Sequence, residues 1–264
     1  MLPTFFISHG APTFPLQREQ PVHGFMQGLL HGLSPRAILM VSAHWEAAVP
    51  TATAASPLRT IHDFSGFPPE LYDLRYEPPG APDLARQTVD LLANAGLLAQ
   101  LDPVRGIDHG GWTPLIVARP QADIPVVQLS LVRGLDPSTH LAMGEALAAL
   151  RAQDVLIIGS GGAVHNLRAI DWSALGPNAP ATPPPAWATD FRDWLDASLS
   201  LPAPSRTEAL RNWMKAPGAR MAHPRQEHLM PLHVAAAAAG DSKAARIHES
   251  WQGGSLSLAA WRFE

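Results

Sequence analysis

A chain of 264 residues, 46 % of them hydrophobic, can bury a core without covalent staples, and its formal net charge is only −4. The absence of cysteine excludes disulfides, thiol catalysis, Fe–S clusters and cysteine-held zinc, so any metal must be held by His, Asp or Glu. The 19 Lys and Arg against 23 Asp and Glu form no basic run suited to nucleic acid. No apolar stretch approaches the ~20 residues that cross a bilayer, and Met1–Thr4 lacks a positive leader segment; a soluble, cytoplasmic protein with small-molecule partners is expected.

In chain order, apolar runs at 4–8 and 37–42 read as buried strands. From Ser65 to Pro82 five prolines surround Tyr72 and Tyr76, which predicts a loop or extended cover whose aromatic flanks, Phe64 and Phe67 among them, wall a site. Pro82–Ala95 reads as a helix closed by Gly96. Asp108-His109-Gly110-Gly111 predicts a rigid turn, with Thr113 as N-cap and Pro114 opening the following helix. Further strands are expected at 126–130 and 155–159, and a helix after the N-cap Asp136. A second proline-rich cover spans 176–185, flanked by Trp172 and Trp187; Ser205–Glu208 has the form of a capping box, and Val234–Ala239 is an Ala-rich helix closed at Gly240. Strands alternating with helices predict an α/β fold: one domain over 1–264, with a central, largely parallel or mixed sheet flanked by helices.

Three of the twelve histidines share one placement. His9, His44 and His165 each follow an apolar run, in turns rich in Gly, Ser and Ala. Ligands in open α/β sheets bind beyond the carboxyl ends of the strands, so three imidazoles there can converge on one metal. A fourth ligand candidate lies in Ala222–His233. His228, immediately ahead of or within the start of the Ala-rich helix, would be kept neutral by the helix N-terminus, whereas Glu227 would complete a two-histidine, one-carboxylate triad. Adjacency leaves both open, with His223 and His233 weaker. His109 is a candidate donor to substrate or oxygen. Glu46, two residues past His44, is a ligand, an orienter of His44 or a solvated residue. His23, His31, His62, His140 and His248 lack a supporting partner and read as structural or solvated.

No phosphate-binding glycine motif follows a strand, and Gly159-Ser160-Gly161-Gly162 resembles a hydrolase nucleophile elbow only loosely. Taken together, Ser8–Pro12, Ser42–Glu46, His62–Pro68, Asp108–Trp112, Val164–Leu167 and Glu227–Leu232 resemble the DODA-type extradiol ring-cleavage dioxygenases, class III enzymes of the LigB-like superfamily. The resemblance spans nearly the whole chain. It implies a metal held by His9, His44 and His228, with His165 at the metal as acid/base and as a further ligand in a substrate-free zinc form, and His109 as a catalytic donor. It also selects His228 over Glu227. Two positions depart from the usual pattern, Ala11 and Ser65, both near expected pocket walls.

Such a site would bind a catechol and O2 as partners, require Fe(II) for activity, and give a muconic-semialdehyde type product. Zn(II) would occupy the same ligands without oxygen chemistry. A zinc-dependent hydrolase using the same histidines is the alternative, and a non-catalytic binding protein a third. Neither the particular catechol nor the oligomeric state follows from the sequence.

Overall fold

Alternate residues of the central strands feed two separate cores, so the sheet is covered on both faces. Phe6, Leu39, Val41, Val127, Leu129 and Ile157 point into one. Phe5, Ile7, Ile38, Met40, Leu156 and Ile158 point into the other. The computed structural model describes residues 1–175 and 182–264.

The chain begins with β1 (Thr4–Ser8), α1 (Pro21–Gly28), β2 (Ala37–Ala47), β3 (Thr51–Thr53), α2 (Pro69–Asp73), α3 (Pro82–Asn94) and β4 (Gln100–Asp102). It continues through α4 (His109–Ala118), β5 (Val126–Val132), α5 (Pro137–Leu147), β6 (Val155–Gly161), α6 (Ala186–Leu199) and α7 (Ala203–Arg211). It ends with α8 (Ala219–Ala222), α9 (Met230–Ala238), β7 (Ala244–His248), β8 (Trp251–Gln252), β9 (Leu256–Ser257) and β10 (Ala260–Phe263).

Eight strands form one mixed sheet in the order β4-β3-β5-β2-β6-β1-β10-β7. The central four, β5, β2, β6 and β1, are parallel, whereas β10 and β7 run antiparallel at one edge. The first core is closed by α3, α5, α6, α7 and α9 through residues such as Leu84, Leu141, Phe191, Leu210 and Leu232. The second is closed by α1 and α4, through Met26, Trp112 and Leu115, and by Leu58, Leu71 and Tyr76. Among the described residues, no helix is long and apolar enough to cross a membrane.

Four expectations change. Within the proline-rich 65–82 stretch Pro69–Asp73 form a helix, because Pro69 supplies the fixed φ of a first helical residue. The helix expected after Thr113 starts at His109 instead: Asp108 is its N-cap residue, and Thr113 and Pro114 lie inside it. Ser205 does not cap. The helix opens earlier, at Ala203, with Pro204 in its first turn and Ser205 already within it. The Ala-rich helix likewise starts at Met230, two residues after His228. Asp136 does cap α5, accepting from the Thr139 amide, and Gly96 and Gly240 take the left-handed φ values, +81° and +58°, that end helices. Of the second proline-rich cover, 176–181 lie outside the described residues.

Candidate active site

The site histidines lie at or near the ends of secondary-structure elements, with His44 inside β2, which runs on to Ala47, and His165 four residues past β6. β1 and β6 are hydrogen-bonded neighbours up to Ser8 and Gly161, and His9 follows directly, its amide bonded to the Gly161 carbonyl. β2 runs beside β6 until Ser42 and slips register against β5 between Val41 and Glu46, so His44 rides on a bulged segment. Bulges re-aim side chains at sheet ends. His228 stands just ahead of α9, which packs directly on β6. A Cβ at Gly161 would lie 2.0 Å from the His228 carbonyl, and one at Gly159 would lie 2.2 Å from that of Pro231. His109 is the first residue of α4.

These placements bring His9, His44 and His228 together, one ligand atom of each within 4.8 Å of the others. His9 Nε2 and His44 Nε2 are 3.0 Å apart. Burial, and then the neighbouring histidines, push the pKa values of His9 and His228 well down. Burial and His109 do the same for His44, against an opposing pull from Asp63. All three rings are therefore neutral, as imidazole metal ligands must be. Three neutral nitrogens facing one point, with His9 and His228 committing Nδ1 elsewhere, fit a divalent cation.

Those outer partners are specific. His9 Nδ1 lies 2.9 Å from Ser160 Oγ, and His228 Nδ1 lies 3.0 Å from Glu227 Oε1. Glu227 thus backs His228, and burial pushes its own pKa up. Glu46 does not orient His44; it pairs with Arg225 at 2.5 Å. His44 Nδ1 has Asp63 at 3.9 Å, too far for a hydrogen bond.

His165 does not join the three-histidine set. Its ring stacks on His228, centroids 3.4 Å apart and planes 9° from parallel, in an overlapping group with Glu227 and His228. Burial above all, then the charge of His109, takes its pKa down to about 4. His109 lies against His44, centroids 3.8 Å apart. Its Nδ1 donates to Asp63 Oδ2 at 2.9 Å, and its amide donates to Oδ1 of the same carboxylate. Burial works against the Asp63 charge, but the bonds to His109 outweigh it and hold that carboxyl below its ordinary pKa.

Three further histidines serve the scaffold. His223 is buried, with Nε2 donating to the Ala163 carbonyl, and His233 lies between the carbonyls of Leu229 and Leu210. His140, expected without a partner, is buried and accepts from the Val132 amide. Ser160 is fully buried and gives its hydroxyl proton to the Gly110 carbonyl, so it is no nucleophile. Sequence reasoning missed Asp63 and Ser160 as partners of histidines, because neither is adjacent in the chain to the ring that it contacts.

A cavity of about 790 Å³ opens over the cluster. His9, His44, His109, His165 and His228 line it, with Phe67, Leu167, Ile170, Trp172, Leu256 and Leu258 as apolar walls. Phe64 packs edge-on to His109. Trp187 is elsewhere, packed on the first core.

Residues 3–263 match the family model described as the catalytic LigB subunit of aromatic ring-opening dioxygenase. The chain is 42 % identical to a 4,5-DOPA dioxygenase extradiol of Beta vulgaris, covering 98 % of this chain and 96 % of the relative. It is 36 % identical to the protein of that name from Escherichia coli K12, over 97 % and 93 % of the two. The crystal structure of an uncharacterized protein from Escherichia coli K12 superposes with a TM-score of 0.80 at 32 % identity over both full lengths. None of these gives the hydrolase alternative any support. The chain belongs to the LigB family of extradiol ring-opening dioxygenases and is an oxidoreductase that incorporates dioxygen.

Proposed function

We propose that His9, His44 and His228 hold a divalent metal, Fe(II) in the active enzyme, and that residues 1–264 act as one catalytic domain cleaving a catechol ring next to its diol. The observation that carries this reading is the 3.0 Å approach of His9 Nε2 to His44 Nε2, with a ligand atom of His228 within 4.8 Å of both. When bound, such an iron supplies Lewis acidity toward the diol and electrons toward dioxygen, whereas zinc supplies only the former.

The chain's own groups then divide the remaining work. His165 is neutral at physiological pH and lines the cavity beside His228, so its free nitrogen can take a proton from a catechol hydroxyl and later return it. His109 Nδ1 is committed to Asp63, which directs the other nitrogen away from that carboxylate and fixes the ring's orientation. The stacked face of His165 supports the acid/base role over direct ligation. Apolar walls exclude water from the reacting centre. A cavity of about 790 Å³ far exceeds a bare catechol, so a substituted catechol is the substrate class, and the names of the curated relatives make DOPA the first probe.

Anaerobic loading with Fe(II), followed by DOPA and other 4-substituted catechols and then air, is expected to give oxygen uptake and a yellow ring-opened product. Protein loaded with zinc is expected to give neither. No uptake across a broad catechol panel would sink the proposal, and hydrolysis that depends on zinc and persists without oxygen would replace it.

A further inference from the structure

Behind His9 the chain sets the direction of one proton, through residues that do not touch the cavity's metal point. Pro114 lies inside α4 and has no N–H, so it gives no helical hydrogen bond to the carbonyl of Gly110, four residues earlier. Ser160 Oγ lies 2.5 Å from that carbonyl oxygen. A carbonyl only accepts, so the hydroxyl proton points at it. The lone pairs of Oγ then face His9 Nδ1 at 2.9 Å, which obliges Nδ1 to carry the ring's proton. The ring's lone pair is left on Nε2, the atom 3.0 Å from His44 Nε2. Glycine at 110 permits the approach, since a Cβ there would sit 2.4 Å from Ser42 Oγ and 3.1 Å from the His44 ring.

We propose that Pro114, Gly110 and Ser160 form a relay that locks His9 in its Nδ1–H tautomer, which makes Ser160 a positioning residue for metal binding. The inference rests on the reading of His9 as a ligand. Without the carbonyl, the serine hydroxyl is free to donate to Nδ1 instead, and the ring proton then moves to Nε2, where it blocks the metal. The helix that carries His109 therefore also sets the protonation pattern of a ligand on β1.

Long-range ¹⁵N–¹H spectra of histidine rings report the tautomer directly and need no variant. His9 is expected to show a protonated Nδ1 in metal-free full-length protein, before any metal can impose it. Competition against a chromophoric chelator is expected to show Ser160→Ala binding zinc roughly 10–100-fold more weakly, with Ser160→Thr, which keeps the hydroxyl, recovering to within about threefold of the unsubstituted protein. Ser130 is also buried and bonded, to the Thr51 amide on the neighbouring strand. Ser130→Ala is expected to lower stability while leaving zinc affinity in place, which separates a positioning role from a structural one. A bare His9 Nδ1 in the metal-free protein, or zinc affinity in Ser160→Ala within about twofold of the unsubstituted value, would overturn the relay. Failure of the unsubstituted protein to bind zinc at all would instead remove the ligand set, and the relay with it.

Discussion

At the scale of single residues, Asp63 distinguishes two adjacent rings. Its carboxylate takes both the ring and the amide of His109 but stays 3.9 Å from His44. Asp63→Asn is expected to lower kcat about 10- to 100-fold, because the carboxylate that takes both the ring and the amide of His109, and so orients it, is lost, while zinc affinity holds. His165→Ala is expected to cost about 10²–10⁴ in kcat, again with the metal retained. Steady-state oxygen uptake together with chelator competition checks both, and loss of metal in either variant would mean that the roles are wrongly divided. The sequence offered His9, His44, His165, His109 and His228 as candidates because residue type and strand-end position suffice to nominate a histidine. Asp63 and Ser160 stand in motifs that it singles out, but it did not pair them with His109 and His9, which are 46 and 151 residues away.

At the scale of elements, the site depends on how closely α9 lies on β6. Gly159 and Gly161 remove the side chains that would hold the helix off, and Gly144 of α5 does the same for α9 on another side, where a Cβ would meet the Val234 carbonyl at 2.3 Å. The run of Ala235 to Ala239 completes this contact with small groups, all buried. Gly159→Ala is expected to destabilise the protein by about 1–3 kcal/mol through overpacking. It should weaken zinc binding too, since His228 enters the site on the segment leading into α9. A urea midpoint equal to that of the unsubstituted protein would contradict this packing. The element types were legible in the sequence from apolar runs and alternation. Boundaries at α4 and α7 were not, because Thr113 and Ser205 have the chemistry of caps but lie inside helices, beside a proline within α4 and one in the first turn of α7.

At the scale of the whole molecule, buried neutral histidines tie stability to pH. His223 pins the turn after β6 to the segment leading to α9, and burial takes its pKa down to about 3; burial likewise takes His233 down to about 4. Both values lie below the unfolded value near ~6.5, so the unfolded chain binds more protons as the pH falls through that window. Stability is therefore full above about pH 6.5 and is lost progressively toward pH 4 and below. Urea midpoints of the metal-free protein at pH 7, 5.5 and 4.5 should fall in that order, and a flat series would show that these rings protonate without cost. Metal acts in the opposite sense. Free zinc at ~100 times its Kd should add about 2.7 kcal/mol to stability at neutral pH, and a chelator should remove it.

The sequence by itself determined the α/β class and the parallel centre of the sheet, and it nominated His9 and His44 from the apolar runs before them, although β2 continues past His44 to Ala47. Apolar alternation and strand-closing Gly and Ser are local properties, and a strand's carboxyl end is a functional position wherever the strand lies. Only the tertiary structure shows which groups meet: it brings His228 to His9 and His44. His228 arrives from a segment 67 residues beyond Gly161, held in place by helix-on-strand packing at glycines. His165 stacks on His228, and Ser160 reaches both His9 Nδ1 and the Gly110 carbonyl that Pro114, inside α4, leaves without a helical donor. Those are facts about which groups meet, and spacing along the chain does not contain them.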